Sequence, residues 1–310
     1  MSARVELKEV VFSTLMLAAV TVMCLAPSAY LPMLARAFVL QWAMVFLVIA
    51  GFALWMRRSI AMVAALICAL VSLTEVTTPT GARVGAASGR SLSVAHMNVW
   101  QPNTSRQRAI ESALATRADV LSVQEVDRIW AGALVNGLSR RFPYHRLVPD
   151  PSCYGIALFS RFPFRSVAIR HASGTPFVDA VILVNGDPVR VLAVHAPSPT
   201  SYAQFRRRNA QLGTLAEEIR AMDLPTVVVG DLNTVHWDPE FVRMCTRSGA
   251  VPVTGPEVRT WPTLGPMALI PLDHVLIAGG ITAEHVNTFE IPGSDHRGLV
   301  SNIILPEHAR

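Results

Sequence analysis

The stretch VVVGDLN at residues 227–233 decides how we expect this chain to fold. Its three valines predict a buried strand, and the glycine after them permits a turn. Asp231 and Asn233 stand two residues apart, so an extended backbone can point both side chains towards one pocket. Such a pair can bind a hard cation or water, whereas the simpler interpretation is a strand followed by an Asx turn. The other strand ends of the chain decide between these hypotheses.

The composition indicates that the chain combines a very apolar segment with a polar one. Of its 310 residues 51% are hydrophobic and 16% are charged, and the mean hydropathy is +0.38. The formal net charge of +5 allows an anionic partner without proving one. Lys8 is the only lysine. Arginine suits bidentate phosphate recognition, although a compositional bias of the genome explains the same fact.

The four cysteines do not have metal-binding spacing. Cys24 and Cys68 lie in apolar runs, while Cys153 and Cys245 lie far apart in the polar part. A disulfide between Cys153 and Cys245 would be possible after export, but we interpret both as ordinary buried thiols.

Three apolar runs near the N-terminus predict a membrane anchor. They cover residues 10–26, 37–56 and 59–74. Each is near the roughly 20 residues that cross a bilayer core. The alternative is a cleaved signal peptide formed by the first run, but two further runs close behind it favour an uncleaved, multi-pass anchor.

Basic residues around these runs predict the orientation of the anchor. Arg4, Lys8, Arg57 and Arg58 lie on one side, and Arg36 lies on the other. We therefore expect a plasma (inner) membrane protein with a cytoplasmic N-terminus. The anchor would cover residues 1–75, a linker rich in Thr, Gly, Ala and Ser would cover 76–90, and an extracellular or periplasmic domain would cover 91–310.

The predicted domain begins with alternating strands and helices and continues as a meander. Helices are predicted from about 105, over 127–141 with the stripe Ile129, Ala133, Leu134 and Leu138, over about 200–222 and over 239–247. Strands are predicted near 91–97, 120–123, 144–148, 155–160, 164–170, 177–184, 189–194, 227–229, 272–277, 281–289 and 297–304. This pattern predicts two sheets rather than one doubly wound sheet. The run Arg206-Arg207-Arg208 is interpreted as a solvated helix face.

Polar residues follow six of the predicted strands or their connecting loops. They are Asn98, Glu125, His195, Asp231 with Asn233, Asp273-His274, and Asp295-His296. Each of them alone has an ordinary structural explanation, such as a surface carboxylate or a hydrogen-bonded histidine. The chain contains neither a phosphate-binding GxxxxGK[ST] loop nor a GxSxG elbow, which excludes P-loop and serine-hydrolase sites.

The ordered set of motifs resembles the endonuclease/exonuclease/phosphatase superfamily, which includes deoxyribonuclease I, abasic-site endonucleases, sphingomyelinases and inositol polyphosphate phosphatases. The matching stretches are HMNVW around Asn98, VQEV around Glu125, YGIALFSRFP at 154–163, HAP from His195, GDLN around Asp231, LDHVL around Asp273 and SDH ending at His296. The resemblance covers residues 92–305. It implies a deoxyribonuclease I-like four-layer α/β/β/α sandwich that hydrolyses phosphoesters with Mg²⁺ or Mn²⁺.

The resemblance also implies a role for the carboxylates and amides. Glu125 would be the central metal ligand, with Asn98 and Asp295 completing or neighbouring the metal site. Asp231 would position or deprotonate the attacking water, and Asn233 would hold a phosphoryl oxygen. These residue types suit Mg²⁺, which prefers oxygen ligands and keeps several waters.

The histidines receive roles from the same resemblance. His296, oriented by Asp273, would be the general base or an electrostatic partner. His195 would contact the phosphate and protonate the leaving group. His195 continues as Ala-Pro-Ser-Pro-Thr, without the asparagine or basic residues of some nucleases, which weakens a duplex-DNA hypothesis.

Three functional hypotheses follow. The first is a metal-dependent hydrolase of a phosphate ester, phosphodiester or pyrophosphate at the outer membrane face, with membrane lipids as partners and a lipid-linked substrate. Its architecture resembles the membrane phosphatases of teicoplanin resistance, which are thought to act on the undecaprenyl pyrophosphate carrier. The second is a membrane-anchored nuclease that cleaves DNA or RNA outside the cell. The third, a non-catalytic binding module, is disfavoured because every expected site residue is present. None of them fixes the oligomeric state.

Overall fold

A computed structural model describes residues 3–76 and 89–306, which form two compact units. One unit comprises Met1–Thr78 with His236–Pro239, and the other comprises Pro79–Val235 with Glu240–Arg310. Nearly all of the predicted linker, residues 77–88, lies outside the described residues.

The first unit contains four helices: α1 (Ala3–Leu25), α2 (Tyr30–Ala37), α3 (Val39–Trp55) and α4 (Ser59–Thr74). Alanines fill its helix contacts, among them Ala43 and Ala50 of α3 and Ala65 and Ala69 of α4. Small side chains of this kind allow apolar helices to approach closely. The Glu9 carboxylate accepts the backbone N–H of Ala61 at 3.0 Å, so α1 caps the start of α4.

The prediction of three membrane-spanning helices needs correction. All three predicted runs are helical, but within residues 3–76 and 89–306 only α1, over Glu6–Leu25, is long and apolar enough to cross a bilayer by itself. The helices α2 and α3 are bent by 73° and could form at most one broken span, and α4 has only 16 residues. Because α1 lies near the N-terminus, it fits either a membrane anchor or a signal sequence.

The second unit contains two six-stranded sheets. Its strands are β1 (Arg90–Asn98), β2 (Val120–Gln124), β3 (Tyr144–Val148), β4 (Ile156–Ser160), β5 (Phe164–Ala172), β6 (Thr175–Val184), β7 (Asp187–His195), β8 (Thr226–Asp231), β9 (Val251–Pro252), β10 (Trp261–Leu264), β11 (Met267–Ile270), β12 (Asp273–Ala278), β13 (Thr282–Glu290) and β14 (Arg297–Leu305). Sheet one has the order β13-β14-β1-β2-β4-β3, and sheet two has the order β5-β6-β7-β8-β12-β9. The hairpin β10–β11 stands apart and was not predicted.

The sheets face each other across an apolar core and carry helices on their outer faces. Leu92 and Val94 of sheet one meet Val227 and Val229 of sheet two in this core. The helices α5 (Arg106–Ala115) and α6 (Arg128–Leu138) cover sheet one, while α7 (Tyr202–Arg220) and α8 (Pro239–Ser248) provide apolar side chains to the core of sheet two. The predicted four-layer α/β/β/α sandwich is therefore confirmed.

Three local predictions are wrong. Ile129 is 63% exposed, and the buried residue at the start of α6 is Trp130 instead, next to the N-cap Asp127. Arg208 is buried, so only part of the arginine run at 206–208 is solvated. Cys153 is exposed rather than buried, and it forms no disulfide with Cys245.

Candidate active site

Five predicted site residues stand where strands end or begin in the two facing sheets. Asn98 ends β1, Glu125 follows β2, His195 ends β7 and Asp231 ends β8. The pairs β1–β2 and β7–β8 are parallel, so within each pair the carboxyl ends of both strands lie at the same end of the sheet. Asp273 begins β12, which runs antiparallel to β8, and is the register partner of Asp231. The topology thus places these side chains at a common end of the sandwich.

Gly230 is required by close strand packing rather than by the turn that the sequence predicted. It lies within β8 beside Val194 of β7, and its φ is +152°. A Cβ at this position would stand 1.8 Å from the carbonyl oxygen of Val194. Only glycine avoids that clash. The strand consequently continues to Asp231 and holds the Asp231 carboxylate at the carboxyl end of β8.

Asn98 joins the predicted metal site to the predicted catalytic groups. Its Nδ2 donates hydrogen bonds to Glu125 Oε1 at 3.0 Å and to Asp231 Oδ2 at 3.1 Å. The same nitrogen stands 3.5 Å from Nε2 of His296, and its Oδ1 accepts the N–H of Trp100. Residues from both sheets therefore meet in one hydrogen-bonded network.

Asp273 anchors two imidazole rings. Its Oδ2 lies 2.9 Å from Nδ1 of His296, as the prediction that Asp273 orients His296 requires. Its Oδ1 lies 2.5 Å from Nε2 of His96, a residue outside the predicted site. The alternation of a strand could have indicated it, because His96 precedes Asn98 by two residues and shares its face of β1.

The loop after β8 is fixed by hydrogen bonds at both ends of Asn233. The backbone N–H of Asn233 donates to Asp231 Oδ1 at 2.8 Å, and its Nδ2 donates to the carbonyl of Ala196 at 2.9 Å. Asn233 has a left-handed backbone with φ +49°. The guanidinium of Arg208, on α7, donates to the Asn233 carbonyl at 3.2 Å. Nothing in the local sequence indicates this contact from Arg208.

His195 lies beside Asp231 without a hydrogen bond to it. Its ring is 3% exposed, and its Nε2 stands 3.8 Å from Asp231 Oδ2, beyond hydrogen-bonding range. Its buried Nδ1 has no hydrogen-bond partner among the residues that the structure describes. The Tyr154 ring is its aromatic neighbour, 6.1 Å away between centroids. His195 thus lies at the edge of the network.

Asp295 is held by the unpredicted hairpin. Trp261 Nε1 donates to Asp295 Oδ2 at 2.8 Å, and the Thr263 N–H donates to the Asp295 carbonyl at 2.9 Å. The other carboxylate oxygen, Oδ1, is buried and has no partner within residues 3–76 and 89–306. A buried carboxylate oxygen without a donor is costly unless a cation or water occupies the site.

The pKa values of the register partners Asp231 and Asp273 shift in opposite directions. Burial raises the pKa of Asp231 to about 6, and Asp273 adds to the rise, against the effect of His296 and His195. Burial acts on Asp273 in the same direction, but His296 and His96 hold its pKa well below the usual range. Burial alone would lower the pKa of His296, but the neighbouring carboxylates, Asp273 foremost, raise it to about 10. At neutral pH a cationic imidazole therefore stands between two carboxylates.

One cluster among the described residues could hold a divalent cation. Asp231, Asp273 and His296 each place one ligand atom within 4.8 Å of the others. However, Nδ1 of His296 and both oxygens of Asp273 already pair with each other or with His96. The predicted ligands Glu125 and Asp295 adjoin this cluster, since Asn98 donates to both Glu125 and Asp231, and Asp295 directly precedes His296.

Comparisons with known proteins agree with this geometry. The profile of the Endonuclease/Exonuclease/phosphatase family matches residues 95–296, more than half of the chain. No curated protein matches the chain.

Solved structures share the fold at low sequence identity. A humanized TDP2 from D. rerio is 19% identical, with a TM-score of 0.57 over 69% of this chain and 99% of its own. An endonuclease/exonuclease/phosphatase from Beutenbergia cavernae is 17% identical, with a TM-score of 0.57 over 70% of this chain and 72% of its own. Sphingomyelinase C from Streptomyces griseocarneus is 20% identical, with a TM-score of 0.52 over 69% of this chain and 99% of its own. With the profile match, the chain belongs to the endonuclease/exonuclease/phosphatase family of metal-dependent phosphoric ester hydrolases.

Proposed function

We propose that this chain is a Mg²⁺-dependent phosphoesterase that hydrolyses a lipid-linked phosphate ester, phosphodiester or pyrophosphate at a membrane surface. The observation that carries the proposal is the Asn98 amide, which links Glu125 to Asp231 and approaches His296. One side chain thereby connects a candidate cation ligand, a carboxylate base and a cationic imidazole. Substrate, cation and membrane face are each part of the proposal.

Glu125 and Asp295 would hold the cation beside Asn98. Glu125 is half-buried and accepts the Gln101 N–H at Oε2, while Asp295 offers its unpartnered Oδ1. The bound ion would neutralise charge on the phosphoryl oxygens and orient the substrate. Hydrogen bonds to the second oxygens of both carboxylates fix their direction, as supporting contacts do around metal ligands.

Asp231 is the better candidate for the general base. Its pKa of about 6 lies near neutral pH, so the carboxylate is ionised there and still basic enough to accept a proton from water. Two roles were predicted for His296, a general base or an electrostatic partner of the phosphate. Its pKa of about 10 favours the second, because the ring is already protonated at neutral pH.

The remaining residues act on the phosphoryl group and the leaving group. Protonated His296 would stabilise the negative charge that develops on the phosphoryl oxygens. Asn233 would hold a phosphoryl oxygen, since its loop is braced by Ala196 and Arg208. His195 stands near the base and would protonate the leaving group.

The apolar N-terminal helices support a membrane location. We infer that α1 anchors the chain in the plasma membrane with the catalytic unit on the outer side, because Arg4 and Lys8 precede its apolar run. A tethered enzyme meets membrane-bound substrate at a high effective concentration. The likeness in architecture to teicoplanin-resistance phosphatases remains a prediction.

A nuclease is the second candidate. Trp100 is 42% exposed and stands two residues beyond Asn98, where β1 ends, so its ring could stack on a base. Trp261 is less available, since its Nε1 is bound to Asp295.

The test uses the full chain in detergent micelles with Mg²⁺ and four substrates: a lipid pyrophosphate, a generic phosphodiester, plasmid DNA and RNA. We expect phosphate release from the lipid without nicking of the plasmid. Plasmid or RNA cleavage without lipid turnover would establish the nuclease instead.

Variants test the site in the same assay. His296→Ala and Asn233→Ala should each lower kcat by about 10²- to 10³-fold. Asp187→Asn is the matched control, because Asp187 starts β7, at the opposite end of that strand from His195. Unchanged rates in both site variants would refute the catalytic assignment.

A further inference from the structure

The Asp273 carboxylate is shared between two histidines that approach it from the opposite sheet. His96 lies on β1 of sheet one, and His296 directly precedes β14 of the same sheet. Asp273 starts β12 of sheet two. His96 and Asp273 have no exposed surface, and His296 is 5% exposed. The three side chains thus form a polar bridge between the sheets.

The side chains on the inward face of β1 change from apolar to polar as the strand approaches the site. Leu92 and Val94 pack in the apolar core between the sheets. Two residues further at each step, the same face presents His96 and then Asn98. His96 therefore occupies the boundary between the core and the active-site network, where an apolar residue would otherwise extend the core.

The geometry assigns a donor role to His96. With Asp273 ionised, both of its short contacts require an N–H group on the imidazole side. His96 Nε2 donates to Oδ1 at 2.5 Å, and His296 Nδ1 donates to Oδ2 at 2.9 Å. A carboxylate bound at both oxygens cannot rotate without losing one of these hydrogen bonds.

We propose that His96 is a positioning residue for the hydrolytic reaction: by holding Oδ1 of Asp273, it fixes Oδ2 against Nδ1 of His296 and so aims Nε2 of His296 into the site. In this arrangement Nε2 stands 3.7 Å from Asp231 Oδ2 and 3.5 Å from Asn98 Nδ2. Without His96, Asp273 would turn and His296 would lose its direction. This inference rests on the proposed phosphoesterase function.

A merely structural role for His96 would produce a different pattern of rates. If the residue only joined the sheets, its loss would lower kcat whether or not His296 is present. If it acts through Asp273 on His296, its effect disappears when His296 is absent. A double-mutant cycle separates these cases.

The cycle compares His96→Leu, His296→Ala and the double variant in the full chain, with a generic phosphodiester. We expect His96→Leu to lower kcat by about 10- to 100-fold with KM within about twofold, and to change the His296→Ala rate by less than about twofold. His96→Gln, whose amide can still reach Asp273 Oδ1, should restore most of the rate. Equal losses in both backgrounds would overturn the proposal.

Two additions keep the test decisive if His96→Leu does not fold. His96→Asn keeps a polar amide but is too short to reach Asp273, so it should lose activity as His96→Leu does while His96→Gln does not. His145→Leu is the control, because His145 packs against Phe159 on strand β3 of sheet one, away from this network. Full activity of His96→Asn would overturn the proposal.

Proton NMR of the imidazole N–H groups gives a readout that does not depend on turnover. The wild-type chain should show two strongly downfield N–H resonances, from His96 and His296. His96→Gln or His96→Asn removes one, and His96→Asn should also shift the other. An unmoved His296 resonance in His96→Asn would contradict the proposed role. Absence of turnover with both resonances intact would instead count against the proposed function.

Discussion

Asp231 and Asp273 face each other as register partners on the antiparallel strands β8 and β12, and both are buried. Asp273 accepts hydrogen bonds from two imidazoles, and its pKa lies well below the usual range. Asp231 accepts its hydrogen bonds from neutral amide groups, and its pKa rises to about 6. The two carboxylates are equally buried, but their pKa values shift in opposite directions because the hydrogen-bond donors around them differ.

The difference also separates what the two residues contribute to stability. A carboxyl group with a lowered folded-state pKa stabilises the fold above its unfolded-state pKa, and this contribution is lost as the pH falls. Asp273 belongs to this class. Asp231 belongs to the opposite class, since its raised pKa means that ionising it costs more in the folded chain than in the unfolded chain and so lowers stability at neutral pH. We infer that the fold tolerates Asp231 for the reaction and depends on Asp273 for its structure.

The largest effect is expected from Asp273→Asn. The amide cannot accept from both imidazoles as the carboxylate does, so His296 loses its fixed direction and its counter-charge. We expect kcat to fall by about 10³- to 10⁴-fold. Breaking the buried ionic contacts should also lower stability by about 3 kcal/mol at neutral pH. Steady-state rates and thermal unfolding measure both, with Asp187→Asn as control, and a loss under tenfold in kcat would contradict the assigned role.

A smaller loss of activity with the opposite effect on stability is expected from Asp231→Asn. Removing the base should lower kcat by about 10²- to 10³-fold. The neutral amide no longer carries a buried charge, so the variant should unfold at a higher temperature at pH 7, by up to about 3 kcal/mol in stability. The comparison fails if Asp231→Asn and Asp273→Asn destabilise the chain to the same degree.

The pH dependence of the wild-type rate should report the same contrast. Asp231 must be ionised to accept a proton, so kcat/KM should fall about tenfold for each pH unit below about 6. On the alkaline side the rate should fall near pH 10, where His296 loses its proton. These apparent values belong to the coupled groups together. A pH–rate profile of Asp231→Asn should lack the acidic limb, and its persistence would assign that limb to another group.

The sequence patterns predicted most of the fold because the long strands and most helices have a local signal. Alternating or continuous apolar runs located the long strands, and the change from strand–helix alternation to a meander indicated two sheets. The short strands β9, β10 and β11 have two to four residues and no such period. The three membrane spans were overpredicted, since apolar composition does not fix helix length or bending.

The site was predictable only where motifs carry the chemistry. All eight predicted residues lie in or next to the network around Asn98, from Glu125 to His296. The supporting residues His96, Trp261 and Arg208 act through contacts that span large sequence separations. Such contacts depend on how the sheets and helices pack, which no single segment encodes.

The smallest effect on kcat is expected from Arg208→Gln. Arg208 contacts Asn233, whose backbone N–H donates to Asp231. Arg208 is buried and donates to the carbonyl of Asn233, whereas its neighbour Arg206 is exposed. Loss of this brace should loosen the Asn233 loop and lower kcat by about three- to tenfold, because a slightly misplaced phosphoryl contact weakens transition-state stabilisation. Arg206→Gln, made on the same helix, should leave the rate unchanged. Equal rates for the two variants would mean that the backbone bonds around Asp231 hold the loop without Arg208.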